Sequence, residues 1–260
     1  MEFWVSSREV SIKKSWAGNA GRNRLPQGKQ QANDGERMTV NQGNWLLGDQ
    51  LEPDRDDFGG KRAFDDHKIA FLVEHTRDAK VLDIGCVQHN PENYNSRFWV
   101  HGALAETSSK LVGIDLYEPG VEFLVKKGYD VRLADATRFA LGETFDFIVA
   151  GDVIEHLGNA DGFFESCLSH LRPDGALLIS TPNPWFWRQI ANAVVRGKVV
   201  CNVEHTCWYC PATLGQIAAR HGLRVDSVRF GSRYLKDRAM PLPKWLRHTS
   251  FHAVLKRAES

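Results

Sequence analysis

Apolar residues in this chain cluster into short continuous runs, with polar segments between them at nearly regular intervals. Lys80–Gly85 (KVLDIG), Leu111–Asp115 (LVGID), Val131–Leu133, Phe145–Ala150 (FDFIVA) and Ala176–Ser180 (ALLIS) read as strands. Continuous apolarity, in place of alternation, marks strands buried on both faces. Between them the spacing predicts helices over Phe98–Thr107, Gly120–Lys127, Asp161–Leu171, Pro184–Val195 and Pro211–His221. The last has proline in its first turn. Phe64, Ile69, Leu72 and Val73 predict an amphipathic helix before the first strand. Arg172-Pro173-Asp174-Gly175 is a turn signal, and Arg224–Phe230 and Phe251–Arg257 read as two closing strands. Alternation at this pace implies right-handed crossovers and a doubly wound parallel sheet with helices on both faces.

Residues 1–60 lack any sustained apolar period and are rich in Gly, Asn, Gln and charge. They offer little to offset ordering entropy, so a disordered polar tail is expected there. A single domain is expected over 61–260. Lys and Arg number 33 against 32 Asp and Glu, for a net charge of +1. No global field then favours nucleic acid or an anionic membrane. No run approaches the roughly 18 apolar residues of a membrane span. The first twenty residues show no apolar leader core, and five cysteines do not suggest a disulfide framework. A cytoplasmic protein with reduced thiols is the expectation.

Doubly wound sheets bind ligands at the carboxyl ends of their strands. Asp83, Gly85 and Cys86 follow the first strand, Asp115 the second, Asp135 the third, and Gly151-Asp152-Val153-Ile154-Glu155-His156 the fourth. Gly85 lets the backbone approach a ligand closely. Asp115 suits the vicinal hydroxyls of a ribose. Asp135 suits an exocyclic amine such as that of adenine. Each alone is an ordinary strand terminator; the three in this order describe a nucleoside site.

VLDIGC, GIDLYEPGVEFL, ADATRF, FDFIVAGDVIEHL, LRPDGALLISTPNP and SFHAVLKRA resemble class I S-adenosylmethionine-dependent methyltransferases, from about residue 61 to 258. IEHL followed by STPN is similar to the branch holding ubiquinone-biosynthesis O-methyltransferases and related small-molecule enzymes. The resemblance implies a Rossmann-like, seven-stranded α/β sheet, mostly parallel with the last strand antiparallel. It implies S-adenosyl-L-methionine as cofactor, in a site outlined by Asp83, Gly85, Cys86, Asp115, Leu116, Asp135, Ala136 and Gly151. One departure stands out. The family's D-x-G-x-G-x-G loop here reads Asp83-Ile84-Gly85-Cys86-Val87-Gln88-His89, and a polar insertion (HNPENYNSR) follows. S-adenosylmethionine has no pyrophosphate, so a tight glycine turn is less obligatory than in a dinucleotide site.

Methyl transfer to oxygen needs a base, and imidazole takes a proton near neutrality. His156, beside Glu155, and His205, in NVEHTCW, are the candidates. Asp152-x-x-Glu155-His156 is also similar to a pattern associated with a divalent metal in some ubiquinone-pathway enzymes. The alternative is a structural or cofactor-side role without metal, and no metal ligand is assigned. Cys207-x-x-Cys210 has zinc-like spacing, but a second ligand pair is missing. Trp185, Phe186, Trp187, Trp208 and Tyr209, with Arg188, Arg196 and Lys198, suit an acceptor that stacks or carries negative charge. The connection Arg233–His248 is basic.

The reading is an S-adenosylmethionine-dependent methyltransferase acting on a small-molecule acceptor at oxygen (sugar, lipid-linked or quinone-like). No nucleic-acid partner and no stable membrane insertion are expected. The alternative is a non-catalytic binding protein of the same fold, motivated by the altered glycine loop.

Overall fold

The computed structural model describes residues 51–52, 62–63, 67–88, 94, 96–197, 199–202, 204–231 and 233–259. The expected tail lies outside the described residues except for Leu51–Glu52, which pair in parallel with Val199–Val200.

Seven strands form one sheet: β1 Lys80–Ile84, β2 Lys110–Asp115, β3 Val131–Leu133, β4 Phe145–Gly151, β5 Leu171–Pro182, β6 Leu223–Phe230 and β7 Ser250–Arg257. Their spatial order is β3-β2-β1-β4-β5-β7-β6. The pairs among β1 to β5 are parallel, and β7 runs antiparallel to both β5 and β6. The helices are α1 His67–Thr76, α2 Val100–Ala105, α3 Glu118–Lys126, α4 Ala160–His170, α5 Trp187–Arg196, α6 Pro211–Arg220 and α7 Lys244–Arg247.

Side chains alternate across a strand, so each apolar run feeds two cores. Leu82, Ile84, Ile148, Ala150, Leu177 and Ile179 face Phe163 and Phe164 of α4 and Leu214 and Ala218 of α6. Val81, Val149 and Leu178 face Phe71 and Leu72 of α1 and Val100 and Leu104 of α2. This accounts for the continuous apolarity of the strands. Both of their faces are covered.

Two segments differ from the sequence expectation. β5 begins at Leu171, directly after α4, rather than at Ala176. Phe145 pairs with Leu171 and Phe147 with Ala176, so Arg172–Gly175 bulges out opposite Asp146. A Cβ on Gly175 would lie 2.7 Å from the Asp146 carbonyl oxygen, so glycine permits the close approach. The Arg-Pro-Asp-Gly signal is thus a bulge inside a strand rather than a turn before one. The connection between β6 and β7 also has its own structure. Arg233–Tyr234 pair antiparallel with Arg62–Ala63, and Leu235–Ala239 form a 3₁₀ turn before α7. Asp237 of that turn is buried and pairs with Arg188 of α5 at 2.7 Å.

Charge gathers near the amino ends of β1 and β2, away from the carboxyl rim. Glu143 lies 2.7 Å from Lys110, 2.9 Å from Lys80 and 3.0 Å from Arg132. The hydrogen bonds from Lys110 and Lys80 hold its carboxyl down to about 2, against the opposing effect of burial. A depressed carboxyl contributes stability that is complete above its unfolded value near 4.5 and is lost as pH falls toward 2. We therefore expect the urea midpoint of the wild-type chain to fall more steeply between pH 5 and pH 3, roughly the titration window, than that of Glu143→Gln. Parallel profiles would show that this carboxylate does not carry the acid limb.

Candidate active site

The carboxyl end of β1 turns back over β2. The Gly85 and Cys86 amides donate to the Ile114 carbonyl at 2.8 and 3.3 Å. Gly85 has φ +79°, and a Cβ there would lie 2.7 Å from Val153 Cγ2. Both the left-handed backbone and the packing therefore require glycine. Val87, at the second glycine position of the family pattern, and Cys86 before it are buried among Trp99, Val121, Leu124 and Val131. The missing glycines have counterparts on the neighbouring elements. A Cβ on Gly113 of β2 would lie 2.8 Å from Cys86 Sγ, and one on Gly120 of α3 would collide with Val87 Cγ1. Trp99 locks the loop by donating from Nε1 to the Cys86 carbonyl at 2.8 Å. His89–Asn93, most of the polar insertion, lies outside the described residues.

Asp115 ends β2 with both oxygens oriented. The Val87 amide donates to Oδ2 and the Tyr117 amide to Oδ1, each at 2.9 Å. Leu116 projects beside it and is 70 % exposed. Asp135 opens a turn, accepting from the Thr137 amide at 2.9 Å and hydroxyl at 2.8 Å, with Arg138 at 3.2 Å. The Thr137 donors hold its carboxyl below the usual range. Ala136 is half-buried in the same turn.

Asp83 is buried at the end of β1 and meets His101 Nδ1 of α2 at 3.0 Å. Burial pushes its carboxyl up, and His101 opposes this. No sequence motif flagged His101. The only signal is an imidazole on an otherwise apolar helical face.

Beyond Gly151, Asp152 adopts φ +56°, a conformation rare outside glycine. Its Oδ1 accepts from the Ser180 hydroxyl and its Oδ2 from Lys68 Nζ of α1, both at 2.8 Å. Burial disfavours its charge, but Lys68 and Ser180 prevail and hold the carboxyl at about 2. Lys68 is correspondingly raised, chiefly by the charge of Asp152. Lys68 was also missed by the sequence reading, because a lone lysine on an amphipathic helix carries no signal.

Ile154–His156 form a 3₁₀ turn. Glu155 is 1 % exposed, and its Oε2 accepts from the Thr181 hydroxyl at 2.9 Å. Its Oε1 is buried with no hydrogen-bond partner among the described residues. Burial and the nearby Asp152 charge push this carboxyl up to about 8. The segment after α5 folds back onto this turn. The Thr206 and Cys207 amides donate to the Glu155 carbonyl at 2.8 and 3.2 Å, and the Thr206 hydroxyl does so at 3.3 Å. This brings the rings of His205 and His156 edge to face, with centroids 4.7 Å apart. Ligand-type atoms of Glu155, His156 and His205 all lie within 4.8 Å of one another. Asp152, the first member of the metal-like pattern, is not in that group. The Cys207–Cys210 pair does not assemble a site either. Cys207 Sγ faces the Ile154, Glu155 and Leu157 carbonyls, and Cys210 caps α6 with Thr213.

The aromatic segment divides. Phe186 is buried and stacks on Tyr234, whereas Trp185 and Trp208 remain substantially exposed. Arg188 bridges to Asp237 and lies over the Tyr234 and Trp187 rings. Among the described residues, no helix is long and apolar enough to cross a membrane.

A family model described as a methyltransferase domain matches residues 59–228. The ubiquinone biosynthesis O-methyltransferase of Parvibaculum lavamentivorans is 34 % identical over 118 residues, covering 44 % of this chain and 44 % of the relative. The mitochondrial ubiquinone biosynthesis O-methyltransferase of Homo sapiens is 27 % identical over 171 residues, covering 57 % of this chain and 42 % of the relative. The chain spans less than half the length of either relative. A solved methyltransferase from Archaeoglobus fulgidus superposes with a TM-score of 0.53 at 17 % identity, covering 73 % of this chain and 91 % of that one. Magnesium protoporphyrin IX methyltransferase from Synechocystis, with bound SAH, gives 0.52 at 16 % identity, covering 74 % and 81 %. At such identities the structural likeness concerns the fold alone. Sheet order and family match agree: the chain belongs to the methyltransferase-domain family, of the class I S-adenosylmethionine-dependent type, and is similar to the ubiquinone O-methyltransferases.

Proposed function

We propose that this chain transfers a methyl group to a hydroxyl oxygen of a small, quinone-like acceptor. The observation that carries the reading is the convergence of Glu155, His156 and His205 on the rim that also bears Asp83, Asp115 and Asp135. The distant ubiquinone O-methyltransferase relatives support the acceptor class.

The residues of the rim fit the cofactor. Asp115 is oriented by two amides yet keeps lone pairs for two ribose hydroxyls. Leu116 offers an exposed apolar surface for the adenine face, and the reading assigns the adenine amine to the Asp135–Ala136 turn. The reading assigns the amino-acid end of the cofactor to Asp83, the Gly85–Cys86 backbone and Gly151, at the carboxyl ends of β1 and β4. Lys68 supplies a cation for the carboxylate, with Asp152 holding it in place. The bound sulfonium supplies an electrophilic methyl group. The protein's own work is to position the acceptor and accept its proton. His156 and His205 are the groups placed to take that proton, and Glu155 is their buried carboxyl neighbour.

Three measurements test the reading. Calorimetric titration should give Asp115→Ala a cofactor Kd about 10- to 100-fold higher, corresponding to lost charge-assisted hydrogen bonds of ~1.5–3 kcal/mol. An unchanged Kd would place the ribose elsewhere. Lys68→Met should weaken S-adenosylmethionine about tenfold, as for one charge-assisted contact, but leave decarboxylated S-adenosylmethionine nearly unaffected. Equal losses for both ligands would remove Lys68 from the carboxylate. With a panel of catechols, sugars and amines, methyl transfer should appear on phenolic oxygen. His156→Asn or His205→Asn should lower kcat by roughly 10²–10⁴ while sparing cofactor Kd. Transfer confined to amines, or binding without any transfer, would overturn the assignment.

A further inference from the structure

We propose that His101 is a positioning residue for the cofactor, holding Asp83 as the carboxylate that receives the α-ammonium group of S-adenosylmethionine. The inference rests on the assignment of the cofactor's amino-acid end to the carboxyl end of β1. His101 is 1 % exposed, and its Nδ1 meets Asp83 Oδ2 at 3.0 Å. Asp83 is itself only 3 % exposed. An ionised carboxylate only accepts hydrogen bonds, so Nδ1 carries the proton of this contact. The bond occupies Oδ2 and leaves Oδ1 for a second donor, on the rim where a doubly wound sheet binds its ligands.

The imidazole is enclosed on three sides. Trp99 lies tilted against it, with ring centroids 5.4 Å apart, and Tyr129 meets it edge-on at 5.7 Å. On β2, Gly113 leaves the space the ring needs, since a Cβ there would lie 2.8 Å from His101 Cε1. A ring packed in this way has little freedom to leave Asp83. Trp99, two positions earlier, holds the Cys86 carbonyl. The start of α2 therefore fixes both the carboxylate and the backbone of a loop that lacks two glycines of the family pattern.

The charge on Asp83 depends on few neighbours. Its register partners, Gly113 of β2 and Val149 of β4, bring none. The charged and titratable groups that reach it are His101 of α2, Asp115 at the end of β2 and Lys68 of α1. Cys86 in the adjoining loop stays a neutral thiol, because burial and the charges of Asp83 and Asp115 push it up. Burial pushes the Asp83 carboxyl up and Asp115 adds to this, whereas His101 opposes it more strongly than Lys68 does. Lys68 is already engaged by Asp152 at 2.8 Å. His101 is thus the neighbour that favours the charged form. Without it, an arriving ammonium group would itself have to displace the Asp83 proton, and binding would weaken as pH falls.

The test titrates the full chain calorimetrically with two ligands. S-adenosylhomocysteine carries the α-ammonium group, and 5′-methylthioadenosine is the same thionucleoside without the amino-acid end. At neutral pH, His101→Leu should weaken S-adenosylhomocysteine about tenfold, as for one charge-assisted contact, and change 5′-methylthioadenosine by less than about twofold. His101→Asn, whose amide nitrogen stands in the place of Nδ1, should recover most of the loss. His101→Gln, whose amide lies one bond further out, should not. On raising the pH, S-adenosylhomocysteine should reach its full affinity about one pH unit later in His101→Leu than in wild type. In an Asp83→Asn background, His101→Leu should cost nothing further, which a merely structural imidazole would not satisfy. Circular dichroism checks the fold, and if His101→Leu does not fold, the comparison of His101→Asn with His101→Gln decides. Equal losses for both ligands, an unshifted pH profile, a full further loss in Asp83→Asn, or wild type binding both ligands equally tightly would each overturn the role of His101 and leave the nucleoside site standing. Wild type that binds neither ligand would overturn the cofactor site and the role of His101 together.

Discussion

A parallel sheet covered on both faces leaves polar chemistry nowhere to go except its ends. Leu82, Ile148 and Leu177 are sealed under α4 and α6, and Val81, Val149 and Leu178 under α1 and α2. A charged group anywhere along these strands would be desolvated without a partner. At the carboxyl ends, by contrast, the backbone turns and amide donors become available. Asp115 takes two of them, from Val87 and Tyr117. Asp83 has an imidazole, and Asp152 a lysine and a serine. The site is the place where the fold can tolerate charge, because Asp83, Asp115 and Asp152 each arrive there with their own counterpart.

The altered glycine loop shows how space can be conserved when sequence is not. A loop over the end of β1 must pass close to β2 and α3. Cys86 and Val87 bring side chains into that gap, and Gly113 and Gly120 on the facing elements leave room for them. Trp99 then fixes the loop through the Cys86 carbonyl. The backbone amide of Val87 still reaches Asp115. A pattern that counts glycines inside the loop misses this, because the requirement concerns the volume between three elements rather than the identity of one.

Much of the fold was legible because its signals are local. The apolar runs marked β1 to β5, and the strand-end acids followed from topology. The bulge at Arg172–Gly175 was not legible as such. Turn residues report a change of direction, and only the pairing of Ala176 with Phe147 shows that the strand resumes on the same partner. Lys68 and His101 were silent for a similar reason. Each matters through a carboxylate on another element, and nothing adjacent in the chain records that.

The sequence by itself determined the alternation of strands and helices, and with it which rim carries Asp83, Asp115, Asp135 and Glu155. Periodicity and burial act over a few residues, so they survive in a one-dimensional reading. Only the tertiary structure decided which of these groups meet. Thr206 and Glu155 are 51 positions apart, and their backbone hydrogen bond places His205 beside His156. The same packing withdrew Asp152 from the Glu155–His156 pair by giving it to Lys68. Side chains four positions apart on one turn looked like natural companions. The competing partner came from α1, through space, where an ammonium at 2.8 Å outweighs proximity along the chain.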